Sequence, residues 1–167
     1  MSTYRTMTSA ASPADIPDTV IPRDSLSPTA GWYLLTVSRL SSRGDRQVRT
    51  GELADRLAIS PASATEMAGT LADDGLLEYE KYAGLETTAR GTEIAESLAW
   101  RQCVVTSFFD RLLAYEIDAR TAYRIGYTVP EDGIHRLQER IDEPRIEACQ
   151  RLRGDDDECL VATRVES

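Results

Sequence analysis

Lysine is almost missing from this chain of 167 residues: of 19 basic side chains only Lys81 is a lysine, and the others are arginines. Histidine is rarer still for its chemistry, with His135 alone. A single imidazole cannot build a histidine-rich metal centre, and a lone helical histidine is more often packed or solvated than a ligand. No G-x-S-x-G, no phosphate-cradling glycine loop and no second histidine for a general base occur, so no catalytic residues are assigned and no enzyme is expected. The three cysteines, Cys103, Cys149 and Cys159, make no C-x-x-C pair and are odd in number, so neither a zinc ribbon nor a disulfide framework is indicated. Reduced thiols are the expectation, with Cys103 read either as an oxidant sensor or, more simply, as an inert buried thiol. No apolar run approaches the length of a membrane span, and the N-terminus lacks the basic-then-apolar layout of a signal peptide. A cytoplasmic protein without membrane contact is expected.

Positive charge is the other shortage. Acidic residues number 28, giving a net charge of −9, whereas a nucleic-acid reader commonly carries a basic face. The deficit is uneven: residues 28–90 hold seven basic and nine acidic side chains, and residues 91–167 hold ten and sixteen. Strong acidity with arginine in place of lysine and few large aromatics fits a salt-in halophilic composition, and a high-GC genome supplies part of the same bias. In concentrated salt, counterion release from phosphates contributes little, so affinity for DNA must come from close contacts.

What is present centres on residues 48–91. Thr50 reads as an N-cap ahead of GELADRLA, where Glu52, Leu53, Leu57 and Ala58 recur at helical spacing. After a break at Ile59, Ser60 and Pro61 supply an N-cap with proline at the first helical position. This second helix runs through Met67, Leu71 and Ala72 and stops at Gly75, which tolerates the left-handed conformation. Two short helices joined by a tight turn are the helix-turn-helix plan, with the second helix entering the major groove N-terminal end first. LLEYEKYAGLETT then predicts a two-stranded wing turning at Ala83 and Gly84. Thr88 caps a long helix through Ile94, Leu98 and Val105 toward Leu113.

Flanking segments complete a mainly α fold in four parts: a disordered arm over 1–26, a winged helix-turn-helix over 27–90, a helical dimerisation module over 91–153 and an acidic tail over 154–167. Ser27 and Pro28 start the first helix, whose apolar residues Trp32, Leu35, Val37 and Leu40 precede an end near Gly44. Asp118 caps a helix through Ala122 and Ile125, and Pro130 starts another with Ile134, Leu137 and Ile141.

Geometry assigns the DNA contacts. Ser60, Ala62, Ser63, Thr65 and Glu66 are short enough to let the second helix sink into the groove, with hydroxyls for phosphates or bases, Ala62 for a thymine methyl and Glu66 for a cytosine amino group. Arg46, Arg49, Thr50, Lys81 and Tyr82 are placed on the DNA backbone from the adjoining helix and the wing, the alternative for the cations being a solvated face.

The combination of WYLLTVSRL, the Ser60 and Pro61 helix start, the Thr65, Glu66, Met67 run, the Gly75 cap, the Tyr79 to Leu85 wing and the Thr88 to Gly91 helix entry resembles the diphtheria toxin repressor and manganese transport regulator family. The resemblance covers residues 28–141 in a two-module form without the C-terminal barrel of longer members. It implies metal-activated, dimeric transcriptional repression. It also implies ligand positions, which read without gaps fall on Trp32, Gln102, Ile125, Thr128 and Val129, or on Arg124, Tyr127 and Thr128 when the last helix shifts by one residue. None is a good ligand for a first-row divalent metal, so no metal residues and no cofactor are assigned. Trp32 either fills the vacated space or stacks on a small aromatic effector.

The reading is therefore a homodimeric repressor of this type that binds double-stranded DNA at a palindrome with half-sites about one turn apart, without the family's primary metal site and with an unknown effector. One alternative is a manganese- or iron-responsive repressor with a rebuilt site. Another is a winged helix used as a protein-interaction module, which the acidity favours.

Overall fold

A computed structural model describes residues 26–44 and 47–141, so the expected arm as far as residue 25, Arg46, and everything past Ile141 lie outside the described residues; Leu26, expected at the end of that arm, is instead buried in the core, where its apolar side chain packs beside α1. The elements run α1 (Pro28–Gly44), α2 (Thr50–Leu57), α3 (Pro61–Asp73), β1 (Leu77–Glu80), β2 (Gly84–Thr87), α4 (Ala89–Leu113), α5 (Ala119–Thr128) and α6 (Glu131–Ile141). Mainly helical architecture with one antiparallel hairpin matches the expected fold class.

Local chemistry explains the starts and stops. The Ser27 hydroxyl accepts from the Ala30 amide at 3.1 Å, Ser60 from Ser63 at 3.1 Å, Thr88 from Gly91 at 3.0 Å, and Asp118 from Thr121 at 2.9 Å, so four helix starts each satisfy an otherwise orphaned donor. The cap expected at Thr50 is not there. Arg49 holds the extended backbone of a cap (φ −80°, ψ 141°) but has no side-chain acceptor, and Thr50 is already helical. At the other end of α2, Ala58 is not on the buried stripe: it is the exposed C-cap in the left-handed region, and Ala54 is buried with Leu53 instead. Gly75 (φ 72°) follows the end of α3 as expected.

The wing pairs Leu77 with Thr87, Glu78 with Glu86, Tyr79 with Leu85 and Glu80 with Gly84. Its turn lies over Lys81, Tyr82 and Ala83, one step before the Ala83 and Gly84 turn the sequence suggests, because Tyr82 takes the positive φ (83°) and Gly84 is already in β2. Val48 adds a bridge to Leu85, with N–H to O distances of 2.9 and 2.7 Å, which ties the entry to α2 onto the wing.

Two apolar cores share α4, a helix about 37 Å long. Ile94, Ala95, Leu98 and Ala99 of its first half join Tyr33, Leu34, Leu35, Val37, Leu53, Ala64, Ala68, Leu71 and Leu85. Trp100, Cys103, Val104 and Val105 join Ala122, Ile134 and Ile141. Gly91 permits the first junction, since a Cβ there would sit 1.9 Å from the Leu76 carbonyl oxygen. Cys103, expected as a reduced thiol, is buried and disulfide-bonded, since a bridge needs two thiols close in space and not a C-x-x-C spacing in sequence. No helix among the described residues is long and apolar enough to cross a membrane.

Candidate nucleic-acid interface and its inter-helix junction

The inward face of α3 is made by Ala64, Ala68 and Leu71, all fully buried. Ser60, Pro61, Ala62, Ser63, Thr65 and Glu66 are all exposed at its N-terminal end. Small side chains at the exposed start let another molecule approach the helix backbone closely. Their hydroxyls are already oriented. Ser60 donates to the Ser63 hydroxyl at 2.9 Å, which leaves the Ser63 proton directed elsewhere, and Thr65 donates to the Pro61 carbonyl at 3.0 Å, which leaves its oxygen as an acceptor. Ser63 thus offers a donor suited to phosphate or a base acceptor, and Thr65 an acceptor.

One buried bond fixes this helix. The Tyr33 hydroxyl of α1 donates to the Ala64 carbonyl at 2.6 Å. Burial, and then the neighbouring Tyr79, push the Tyr33 hydroxyl well above the usual tyrosine range, so it stays a protonated donor.

Of the remaining residues placed on DNA from the sequence, Arg49 is exposed at the start of α2 and Thr50 is half-buried beside it. Lys81 and Tyr82 are exposed at the wing tip, and the Lys81 ammonium lies 5.6 Å from the Tyr82 ring centroid. Tyr82 is 95% exposed and holds a left-handed backbone conformation that is strained for a residue with a side chain. Arg46 lies outside the described residues.

Sequence reasoning missed Tyr33, and it missed a polar junction where α1, α4 and α5 meet. Arg39 donates from Nη2 to the Gln102 side-chain oxygen at 2.6 Å, and the Gln102 amide nitrogen donates to the Ala119 carbonyl at 2.8 Å. Arg101, 3% exposed, donates to the Gly126 and Val129 carbonyls at 3.0 and 2.9 Å, placing a cation at the carbonyl end of α5. Tyr123 and Tyr127 of α5 donate to the Pro28 and Leu26 carbonyls at the start of α1. The Trp32 and Tyr123 rings pack with centroids 4.9 Å apart. The available signal was spacing: Trp32, Thr36 and Arg39 share one face of an otherwise apolar helix.

Comparison with known proteins places this geometry. Residues 25–85 match the family model for the iron dependent repressor N-terminal DNA binding domain. The chain is 30% identical over 113 residues to the HTH-type transcriptional regulator MntR of Geobacillus thermodenitrificans, covering 62% of this chain and 78% of that protein. It is 31% identical over 109 residues to the MntR of Geobacillus kaustophilus, covering 60% and 75%. The chain belongs to the diphtheria toxin repressor and manganese transport regulator family. Among solved structures, that of the manganese regulator SloR superposes with a TM-score of 0.62 at 26% identity, covering 71% of this chain. This chain spans 56% of the SloR structure.

At the positions that the resemblance implies for metal ligands, the side chains are engaged in other contacts. Trp32 presents an indole packed on Tyr123. Both ends of the Gln102 amide are taken by Arg39 and Ala119. Ile125 and Val129 pack into the second core, the exposed Thr128 hydroxyl bonds the Arg124 carbonyl at 2.9 Å, and Tyr127 is committed to Leu26. Among the described residues no group of three or more His, Cys, Asp or Glu side chains is arranged to hold a metal ion.

Proposed function

We propose that this chain is a homodimeric, sequence-specific repressor that reads duplex DNA with α3 and does so without the family's primary metal site. The observation that carries the reading is the N-terminal end of α3, stripped to small exposed side chains while its buried face is bonded to α1 through Tyr33. In this reading Ser60, Ala62, Ser63, Thr65 and Glu66 enter the major groove, and Arg46, Arg49, Thr50, Lys81 and Tyr82 meet the sugar-phosphate backbone. Residues 27–90 form the reading module and 91–153 the dimerising one. Catalysis has no part, since the MntR relatives are transcriptional regulators. Metal independence rests on the donor set: the Gln102 amide is engaged at both ends and an arginine is hydrogen-bonded to its oxygen, so a divalent ion would have to displace a cation to find one weak ligand.

Selection of bound fragments from a random duplex pool in concentrated potassium chloride tests the DNA reading. The wild-type chain is expected to enrich an inverted repeat, and a Ser63→Ala, Thr65→Ala chain to lose it. A chain that enriches no motif, while binding a protein partner, contradicts the reading and supports a protein-interaction module.

A further inference from the structure

We infer that Arg39, acting through Gln102, is a positioning residue that holds the DNA-reading helix at one setting against the second helical module, with no effector needed. The inference rests on the DNA-binding reading above and goes beyond it, because it says what sets the separation of the two reading heads.

α1, like α4, touches both modules. On one side its Tyr33 hydroxyl, buried, is bonded to the Ala64 carbonyl of α3. On the other, two sets of hydrogen bonds and one close approach join it to the second module. At its start the α5 hydroxyls of Tyr123 and Tyr127 hold the Pro28 and Leu26 carbonyls. One turn later Gly31 lets α5 come close, since a Cβ there would lie 2.4 Å from the Tyr123 hydroxyl oxygen. Near its end Arg39 holds Gln102 of α4, and Gln102 holds the Ala119 carbonyl in the first turn of α5. The Gln102 amide is bonded at both ends: its oxygen accepts a hydrogen bond from the guanidinium while its nitrogen donates one to the Ala119 carbonyl, and each bond polarises the other. Gln102 is 4% exposed, so a loosened contact would leave buried polar groups unmatched and cannot slide to an equivalent register.

A helix bonded at its start and again at Arg39 resists swinging against the second module. In a twofold dimer the separation of the two α3 helices follows from the angle between α1 and the α4–α5 pair, and an operator with half-sites about one turn apart accepts a narrow range of separations. The cation that fixes this angle is a side chain, the Arg39 guanidinium.

The test uses the full chain, chelator throughout, and synthetic duplexes: one half-site alone, the selected inverted repeat, and repeats with one or two base pairs added or removed between half-sites. The wild-type chain is expected to lose at least tenfold in affinity when spacing changes by two base pairs. Arg39→Met keeps an unbranched helix-forming stem and removes the donor. It is expected to bind the single half-site within twofold of wild type, to bind the inverted repeat about tenfold more weakly, and to discriminate spacings by less than threefold. If Arg39→Met does not fold, Gln102→Glu decides, since it preserves volume and the Arg39 contact but has no donor for Ala119. A folded variant with wild-type spacing discrimination overturns the positioning role. So does a variant that loses the single half-site as strongly as the repeat, and so does a wild-type chain indifferent to spacing. A wild-type chain that binds no duplex overturns instead the DNA reading on which the inference stands.

Discussion

Replacing Tyr33 with phenylalanine isolates one bond, because the ring and its packing remain and only the donor to the Ala64 carbonyl disappears. That carbonyl lies inside α3, where the i→i−4 pattern still supplies it with a backbone partner. The loss should therefore fall near the net worth of a hydrogen bond, about 1 to 1.5 kcal/mol, and below the ~3 kcal/mol of a stranded polar group. For a chain of this size that lowers Tm by about 3–6 °C. Denaturant titration should move the midpoint and leave the slope unchanged, since the surface exposed on unfolding is the same. The alkaline limb gives a second readout. Burial holds the proton on Tyr33 to higher pH in the folded chain than in the unfolded one, and the same is true of Tyr123. The folded state therefore binds more protons once pH passes the ordinary tyrosine value of about 10, so this stability is intact below it and is lost as pH rises. Tyr33→Phe should flatten part of that alkaline loss. A Tm within about 1 °C of wild type, with an unaltered alkaline limb, would refute the claim that this hydroxyl fixes α3.

Other predictions follow from the same contacts. Tyr82→Gly removes an exposed ring and a left-handed backbone penalty together, so stability should hold or rise by up to about 1 kcal/mol while DNA affinity falls about fivefold in a binding titration. A loss of stability would contradict the strain assigned to the wing tip. Gly91→Ala drives a Cβ against the Leu76 carbonyl and should cost more than about 3 kcal/mol or prevent folding, read by circular dichroism. The Asp118 carboxylate is held below its usual range by hydrogen bonds from the Thr121 side chain and backbone, so its contribution is present above the ordinary aspartate value and fades as pH falls. Asp118→Asn keeps an acceptor for the cap and should remove that part of the acid dependence.

The parts legible in the sequence are those whose cause is local. Ser60 with Pro61, Gly75 after α3, Thr88 before α4 and Asp118 before α5 each act within a few residues, and each stands where the pattern places it. Errors at the same scale came from competition between neighbours: Arg49 took the extended conformation that left Thr50 helical, and the turn closed over Lys81 to Ala83 with Tyr82 at positive φ, so that Gly84, also at positive φ, already pairs in β2. Long-range partners left almost no trace. Arg39 and Gln102 are 63 positions apart, and Tyr33 and Ala64 are 31 apart, so neither pairing has a spacing rule. The residues at the positions implied by the resemblance could be named from the chain; the contact of arginine and amide at the junction became visible only when α1, α4 and α5 were assembled.

The most direct test of the central claim is the affinity of the purified chain for its selected inverted repeat, measured by fluorescence anisotropy in concentrated potassium chloride with chelator and again with saturating manganese or iron. Equal affinities within about twofold, well under 1 kcal/mol, are expected. A gain of about tenfold or more on adding either metal would contradict the account and point to a site that the residues of this junction do not explain.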